Sequence, residues 1–386
     1  MLSCYELYRI SEQLCKVRNK PDDSFGGMNM IFCGDFAQLP PVGGESIALY
    51  SHRSLGHCAM IGKALWNQVT YVVILRKNMR MSGESDQDRK YRTALENMRY
   101  KACTAADIHF LNTLISSNLP GRPSAKVEPW RSAPIIDEIN RLGTLRFASE
   151  TKQKLQRFYS DDTIATLAAS KSSNKVPVNK KSMINGISEE LQKIIWDLPT
   201  SSYDLNCPAI LDICLGLPVI IRHNFATELS ITKGQKGTVY AWHTTQGNFG
   251  QEVLETVFVL LDNPPSNVQI ENLPLNVVPI SRRKTSGYLA LPDDTKICIT
   301  RFQVDILPGF AMTAHASQGQ SLNSNAVDLN TLNDHHAWYT ALSRSRSAAR
   351  TLILQGFDSS KITGGASGAL RREYRELENL FEMEGN

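Results

Sequence analysis

Apolar residues recur at every third or fourth position near the start of the chain, which predicts an amphipathic helix over residues 2–18. The same spacing predicts a helix over residues 86–100 and another over residues 104–114, with Thr104 as its N-cap. Near the other end, a fourth amphipathic helix is predicted from an apolar stripe that comprises Leu370, Tyr374, Leu377 and Phe381. Each stripe indicates a helix that packs one face against a core.

Three continuous apolar runs are more typical of buried strands than of helices. The first covers residues 28–33 and ends in Gly34-Asp35, the second covers residues 69–75 (VTYVVIL), and the third covers residues 351–357 (TLILQGF). Strands that alternate with helices indicate an α/β protein with a parallel sheet. Because such sheets bind ligands at the carboxyl edge of their strands, Asp35 is a candidate binding residue.

The region from residue 215 to residue 306 shows a different pattern, in which short strands are separated by turn residues. A turn is predicted at Lys233-Gly234, and strands are predicted over residues 217–221, 237–241, 253–261 and 296–306, the last as one strand or two. Short strands with turn signals between them suggest a small β-barrel inserted into a larger domain.

Two segments are predicted to be connections between domains or elements. Residues 119–134 are rich in proline and arginine and have the composition of an interdomain linker. Residues 170–182 (SKSSNKVPVNKKS) are polar and predict a surface loop, with nucleic-acid contact as the alternative.

Composition narrows the class of protein. The 386 residues suffice for two or three domains, and 42% hydrophobic with 21% charged residues is typical of globular proteins. The net charge of +4 fits a polyanionic partner without requiring one. The eight cysteines contain no Cys-x-x-Cys pair, and no run of about 18 apolar residues predicts a membrane span. We therefore expect an intracellular protein with reduced thiols and no membrane partner.

Four segments, in order, resemble motifs of the Pif (petite integration frequency) family of superfamily-one DNA helicases. They are residues 28–44 (MNMIFCGDFAQLPPVGG), which resemble the third motif, and residues 76–80, which resemble the fourth. Residues 310–322 (FAMTAHASQGQSL) resemble the fifth motif, and residues 338–347 (WYTALSRSRS) resemble the sixth. The resemblance implies an α/β fold of RecA-like parallel-sheet domains, the first incomplete, with the small β-barrel inserted in the second. Residues 351–377 also resemble helicases encoded by fungal Helitron-type transposons.

The resemblance implies four divisions of the chain. Residues 1–118 would be the C-terminal part of the first RecA-like domain, and residues 119–214 the start of the second with a variable loop. Residues 215–306 would form a strand and the barrel insertion, and residues 307–386 the remainder of the second domain. The family opens its second domain with a strand and a loop, whereas here Ile136 runs directly into Asp137, so a few residues are expected to be lost.

An ATP site follows from the resemblance. The resemblance assigns catalytic roles at the γ-phosphate to Gln38, Arg80 and Arg344. Arginine suits this chemistry because its planar guanidinium keeps its charge and pairs with two oxygens at once. Arg346 is a near alternative to Arg344, and a solvated helix-start charge is the alternative for Arg80. The complete set of implied ATP-binding residues is Gly34, Asp35, Gln38, Arg80, Gln318, Gly319 and Arg344.

A DNA interface also follows from the resemblance. His315 and Ser317, two residues apart at the predicted end of a strand, would hydrogen-bond the phosphates of a single strand. Ala316 stands where the family usually has lysine, which should weaken phosphate binding. The basic run Arg282-Arg283-Lys284 is predicted to be an exposed tip of the insertion, either a DNA contact or a solvated charge.

Two motifs of a complete ATPase are absent from this sequence. It contains no G-x-x-x-x-G-K-[ST] phosphate loop, and no Asp-Glu pair ends a strand before residue 28, so the ligands of Mg²⁺ are expected outside it. The strands that precede these motifs in the family would be missing too, and residues 28–75 are then expected to expose apolar faces and strand edges.

The sequence predicts an ATP-dependent 5′→3′ DNA helicase, with ATP and Mg²⁺ as cofactors and with single-stranded DNA and DNA forks as partners. By resemblance it would act as a monomer in DNA repair, recombination and telomere maintenance, in the nucleus or alternatively the mitochondrion. The chain alone is expected to be inactive.

The alternative is a transposon-helicase remnant that binds single-stranded DNA or a partner without catalysis. A hydrolase using Asp35 and His315 is a weaker alternative, since the sequence has no Gly-x-Ser-x-Gly elbow.

Overall fold

The computed structural model describes residues 2–51, 53, 56–118, 133–164, 187–204, 207–229, 231–293 and 295–384. The chain divides into two compact units. The first unit, called here the split unit, combines Met1–Trp130 with Ala314–Asn386, and the second, the central unit, is Arg131–Thr313. The four-part division implied by the resemblance stays a prediction.

The split unit begins with two crossing helices, α1 (Cys4–Arg18) and α2 (His57–Trp66). A capping box between Ser3 and Glu6 starts α1, which confirms the helix predicted over residues 2–18. At their crossing the helices approach so closely that a Cβ on Gly62 would lie 1.8 Å from the carbonyl oxygen of Cys4. Glycine is therefore required at this position of α2.

The next two helices, α3 (Asp86–Arg99) and α4 (Ala105–Thr113), confirm the sequence prediction almost to the residue. Thr104 caps α4 as predicted, and its capping box is completed by Asp107. Asn97 in the last turn of α3 donates a hydrogen bond of 2.8 Å to the same carboxylate, which fixes the angle between the two helices.

The C-terminal part of the split unit contains a parallel pair of short strands, β11 (Asn325–Val327) and β12 (Thr351–Ile353). Helix α8 (His335–Leu342) crosses between them, is buried along its whole length, and packs on α3 and α4 through a shared apolar core. The one-turn helix α7 (Ala314–Ser317) precedes β11, and α9 (Gly368–Glu384) confirms the predicted C-terminal helix.

The two apolar runs at residues 28–33 and 69–75 were predicted to be buried strands, and both predictions are wrong. Neither run is assigned to a strand, and Ile31 and Leu75 are 89% and 90% exposed. The physical reason is that, within the part of the chain that the structure describes, no other strand pairs with either run, and an unpaired strand cannot satisfy its backbone hydrogen bonds. The expected exposure of apolar faces between residues 28 and 75 is thereby observed.

The central unit begins with α5 (Ala133–Glu150) and contains a second helix, α6 (Glu189–Asp197). Residues 133–136 do not form the strand with which the family opens its second domain, because α5 already begins at Ala133. Proline is tolerated in the first turn of a helix, where its missing N–H has no intrahelical partner, so Pro134 does not oppose this helix. The linker predicted over residues 119–134 lies mostly outside the described residues, and the loop predicted over residues 170–182 lies entirely outside them.

The described strands of the central unit form antiparallel sheets. A five-stranded sheet has the order β10-β4-β5-β6-β7, a three-stranded sheet has the order β2-β9-β8, and β1 pairs with β3. The strands are β1 (Gln156–Tyr159), β2 (Asp161–Ile164), β3 (Ile210–Ile213), β4 (Pro218–Ile221), β5 (Lys236–Gln246), β6 (Glu252–Leu261), β7 (Val277–Ser281), β8 (Arg283–Ala290), β9 (Lys296–Gln303) and β10 (Ile306–Pro308). The four predicted strands are confirmed as β4, β5, β6 and β9 with β10, whereas a closed barrel stays a prediction.

A buried ion pair joins the elements of the three-stranded sheet. The guanidinium of Arg301 on β9 binds both carboxylate oxygens of Asp162 on β2, at 2.9 and 3.1 Å, and donates to the carbonyl oxygen of Cys207 at 2.7 Å. Gln192 on α6 donates to the same carboxylate at 3.0 Å. Both charged side chains are at most 2% exposed, so their charges are compensated by each other and not by water.

The fold class is thus α/β, as predicted, but with a different balance of strands. Among the described strands only β11 and β12 pair in parallel, and all other paired strands are antiparallel. The candidate residues of the ATP site all lie in the split unit, and the basic run at residues 282–284 lies in the central unit.

Candidate nucleotide-phosphate site

The segment that follows Gly34 is a tight turn built around the carboxylate of Asp35. One oxygen of Asp35 accepts from the backbone N–H of Ala37 at 3.0 Å, and the other accepts from the side-chain amide of Gln38 at 3.2 Å. Gly34 is exposed, and a Cβ there would meet no atom within 4 Å. The turn therefore depends on Asp35, and the structure imposes no steric need for glycine at position 34.

Arg99, which the sequence analysis missed, fixes the position of Asp35. The Nη1 and Nη2 atoms of Arg99 each lie 3.0 Å from a carboxylate oxygen of Asp35, and Nη1 also donates to the Tyr339 hydroxyl at 2.9 Å. Burial opposes the charge of Arg99, but Asp35 together with Tyr339 and Tyr374 outweighs it and raises the pKa of Arg99 above its usual value. In the sequence, Arg99 is one basic residue at the end of a predicted helix, a common position with no functional signal of its own.

Arg80 and Arg344, the two arginines predicted at the γ-phosphate, are brought together. Arg80 donates to the Ser321 hydroxyl and to the Ser343 carbonyl, both at 2.8 Å. Arg344, which is 1% exposed, donates from Nε to the Thr340 carbonyl and from Nη2 to the Ser343 hydroxyl, both at 2.7 Å. Every one of these acceptors is neutral.

The electrostatics of this arginine pair are favourable for an anion. Burial and the positive charge of Arg80 lower the pKa of Arg344 to about 10, and burial lowers the pKa of Arg80 as well. Among the described residues, no carboxylate lies within 4.0 Å of either guanidinium. Two desolvated cations without a bound carboxylate are stabilised by an anion with several oxygens, such as a phosphate group.

The turn after Asp35 rests on α8, the helix that leads into Arg344. The backbone N–H of Leu39 donates to the Thr340 hydroxyl at 3.2 Å, and the carbonyl of Ala37 lies 3.0 Å from Nδ1 of His336. Asp35, Gln38, Arg80 and Arg344 therefore belong to one connected network. Among the described residues, the side-chain amide of Gln38 donates to Asp35, and Gln38 bonds to neither of the two arginines.

The residues of the fifth motif adopt a geometry other than the predicted end of a strand. His315 and Ser317 lie in the one-turn helix α7, where residues two apart face different directions. His315 is exposed, whereas Ser317 is buried and its hydroxyl donates to the Ala314 carbonyl at 2.9 Å. Gln318 is half-buried, and Gly319 has a φ of +83°, a conformation that favours glycine.

The basic run Arg282-Arg283-Lys284 is exposed only at Lys284. It lies at the junction of β7 and β8, where Arg282 is 16% exposed, forms ion pairs with Asp161 and Glu255, and stacks 4.1 Å from the ring centre of Phe302. Arg283 pairs with Asp305 at 3.7 Å, and Lys284 lies 5.7 Å from the same aromatic ring. The carboxylates that pair with Arg282 and Arg283 are distant in sequence, so the sequence alone suggested free charge at these two positions.

The described residues do not fit a Mg²⁺ site. Both oxygens of Asp35, the one carboxylate at the centre of the network, accept from Arg99, and no described group of three or more His, Cys, Asp or Glu side chains could hold a metal ion. Of the helices that the structure describes, none has the length and apolarity needed to cross a membrane.

Comparisons with known proteins find similarity to helicases. Residues 2–101 match the family model of the PIF1-like helicases. The ATP-dependent DNA helicase PIF6 of Trypanosoma brucei brucei is 23% identical over 92% of the chain, and the chain spans 40% of the length of that relative.

Solved structures show the same fold. The Pif1 helicase of Candida albicans matches 98% of the chain, and the chain covers 74% of it, with a TM-score of 0.64 and 19% identity. The Pif1 helicase of Bacteroides in complex with ADP-AlF3 and ssDNA matches 98% of the chain, with 73% of it covered, a TM-score of 0.59 and 17% identity. The molecule therefore has the α/β fold of the helicases. By the family match over residues 2–101 and by this fold, the chain is similar to the PIF1-like helicases.

A buried histidine on α8 adds a pH dependence to this network. Nε2 of His336 lies 2.7 Å from a carboxylate oxygen of Glu45, and its Nδ1 faces the Ala37 carbonyl. Burial opposes protonation, but these bonds outweigh it and raise the pKa of His336, while the bond to His336 lowers the pKa of Glu45. The raised pKa gives stability that is present below about pH 6.5, the unfolded value, and lost as pH rises through the folded value.

We expect His336→Gln to remove about 1.5 kcal/mol of unfolding free energy at pH 5.5 and much less at pH 8. On the acid side, the stabilisation by the His336–Glu45 pair is lost as pH falls through the lowered pKa of Glu45, because Glu45 then becomes neutral. His335 titrates in the opposite sense, because burial and His336 lower its pKa to about 4. Urea unfolding should therefore be compared in a His335→Gln background. An equal loss at both pH values would contradict a charged His336.

Proposed function

We propose that the split unit forms the γ-phosphate side of the nucleotide site of an ATP-dependent DNA helicase. The observation that carries the proposal is the buried Arg344 beside Arg80, two cations with lowered pKa values and only neutral hydrogen-bond acceptors. The solved relative from Bacteroides, whose complex contains ADP-AlF3 and ssDNA, supports nucleotide and single-stranded DNA as ligands of this chain.

The proposed chemistry is electrostatic. As the γ-phosphoryl group transfers, charge grows on its oxygens, and guanidinium groups fixed in a desolvated site stabilise that charge. Arg344 and Arg80 would donate to these oxygens, and Gln38, held by Asp35, would contact the γ-phosphate from the adjacent turn. Arg99 and Tyr339 keep that turn in place.

The remaining steps need groups beyond these residues. The sequence contains no G-x-x-x-x-G-K-[ST] loop, so we propose that the phosphate loop and the Mg²⁺ ligands lie outside it and that the chain alone turns over no ATP. The same proposal includes several properties that rest on family resemblance. They are action as a monomer with 5′→3′ polarity at DNA forks and roles in repair, recombination and telomere maintenance. They also include a nuclear or mitochondrial location and an origin in a Helitron-type transposon.

The test separates phosphate binding from turnover. The purified chain is titrated with ATP and with pyrophosphate by calorimetry, and ATP hydrolysis is measured with and without single-stranded DNA. We expect polyphosphate binding that falls at least tenfold in Arg344→Ala and is unchanged in Arg346→Ala, a control whose arginine is exposed two residues further on.

Three outcomes decide between the alternatives. Equal polyphosphate affinity in both variants would remove Arg344 from the site and overturn the proposal. DNA-stimulated turnover that is lost in Arg344→Ala would support the helicase and show that a divergent phosphate loop exists. Salt-sensitive DNA binding without any polyphosphate binding would identify the chain as the single-stranded-DNA-binding remnant instead.

A further inference from the structure

An open groove of about 650 Å³ lies on the split unit along α9. Its lining comprises Tyr100, Gly368, Arg371, Arg372, Tyr374, Arg375 and Glu378. Tyr100, which follows the last residue of α3, supplies one wall, and α9 supplies the rest. None of these residues was a candidate in the sequence, where the stripe of α9 was predicted to be core or docking surface.

The lining of the groove contains three arginines and one acidic residue. Arg371, Arg372 and Arg375 are exposed, and among the described residues none of the three has a carboxylate oxygen within 4.0 Å. Glu378 is the one acidic residue of the lining, and Arg76 already forms an ion pair with it. Three cations therefore remain without a compensating charge on one side of the helix, which favours a ligand with several negative charges.

The groove also has an aromatic surface. Tyr100 is 43% exposed, and its ring packs edge-on against Tyr374 with 5.1 Å between the ring centres. This contact holds the Tyr100 ring and leaves part of it in solvent. Aromatic faces beside arginines are the two elements that proteins use to bind single-stranded nucleic acid without reading its sequence, since bases stack on the ring and phosphates pair with the cations.

We propose that this groove binds a single-stranded nucleic acid, with Arg371, Arg372 and Arg375 at the phosphates and Tyr100 stacked on a base. The site shares the partner class of the proposed function but requires neither nucleotide nor the fifth motif. It lies on different residues from His315 and Ser317, so a strand bound here would be held at a second place on the split unit.

The experiment measures binding of a fluorescent thymidine oligonucleotide to the whole chain by anisotropy, without nucleotide, between about 50 and 200 mM salt. We expect Arg371→Ala/Arg372→Ala/Arg375→Ala to weaken binding about tenfold at low salt. The slope of log affinity against log salt should fall by about 2, since each phosphate contact on a single strand contributes about 0.7. The control Arg9→Ala/Arg89→Ala/Lys90→Ala removes the same charge from exposed positions that have acidic neighbours.

The aromatic contribution is tested with two tyrosine variants. Tyr100→Ala should weaken binding of the thymidine strand about fivefold or more, and Tyr100→Phe should bind as the wild type does, because the ring is kept. An abasic strand of the same length should bind both variants equally. A Tyr100→Ala effect of the same size on the abasic strand would overturn the stacking assignment.

The outcomes separate this proposal from the others. Equal affinity and salt slope in the groove variant and its charge control would overturn it, even if His315→Ala weakens DNA binding and so supports the fifth motif. If pyrophosphate binding is lost in the groove variant while DNA binding stays intact, the ligand is a free polyphosphate and the nucleic-acid proposal fails. An absence of ATP turnover leaves the measurement unaffected.

Discussion

Replacement of Asp162 by alanine is expected to lower the free energy of unfolding of the central unit by about 3–5 kcal/mol. The change leaves the guanidinium of Arg301, which is 1% exposed, without its carboxylate and also removes the acceptor of Gln192. Hydrogen exchange measures this loss of stability at individual backbone amides. Protection of the β9 amides should fall by roughly two to four orders of magnitude, because each 1.4 kcal/mol is a factor of ten.

The matched control for this change is Asp212→Ala. Asp212 also binds an arginine through both oxygens, at 2.8 and 2.9 Å from Arg157, but these two side chains are 25% and 56% exposed. Because water and salt screen an exposed pair, its loss should cost about 1 kcal/mol or less. Similar losses for the two aspartates would show that burial does not determine the strength of the Asp162 pair.

Replacement of Gly62 by alanine is expected to have the second large effect on the free energy of unfolding. The sign of this effect is opposite to the one that helix propensity predicts. In an isolated helix the change would stabilise by about 1 kcal/mol. Here the new Cβ would lie 1.8 Å from the Cys4 carbonyl oxygen and 2.8 Å from its carbon, both of them backbone atoms that cannot rotate away. We expect a net loss of about 2–3 kcal/mol in urea unfolding as α1 and α2 separate.

Gly356→Ala is the control for this substitution, because a Cβ at Gly356 meets no atom within 4 Å and its φ is an ordinary one. It should change stability by less than about 0.5 kcal/mol. A gain of stability in Gly62→Ala would mean that the two helices are not in backbone contact at their crossing.

The helices could be predicted because their signals are local. The capping residues at the start of α1 and α4 lie within three positions of the groups that they bond, so the local sequence predicts where each helix begins. The order of the motifs likewise predicted that Arg80 and Arg344 meet, although Arg99 between Asp35 and Tyr339 left no signal in the sequence.

The remaining differences depend on partners distant in sequence. An apolar run such as residues 69–75 becomes a strand only where another strand pairs with it, and the run itself does not contain that information. In the same way, Arg282 looks like free charge until the fold brings Asp161, on another strand, within 3.3 Å. The short strand β7 was missed because Pro279 interrupts its apolar pattern.

The two unpaired runs at residues 28–33 and 69–75 have a consequence for the behaviour of the chain in solution. Their open backbone groups can be satisfied by the same groups of another molecule, as in edge-to-edge strand pairing. Loss of monomer by that route is second order in protein, so halving the concentration slows it about fourfold, whereas unfolding of one molecule is first order. Dilution is therefore expected to protect this chain against such pairing, whereas it leaves the rate constant for unfolding of one molecule unchanged.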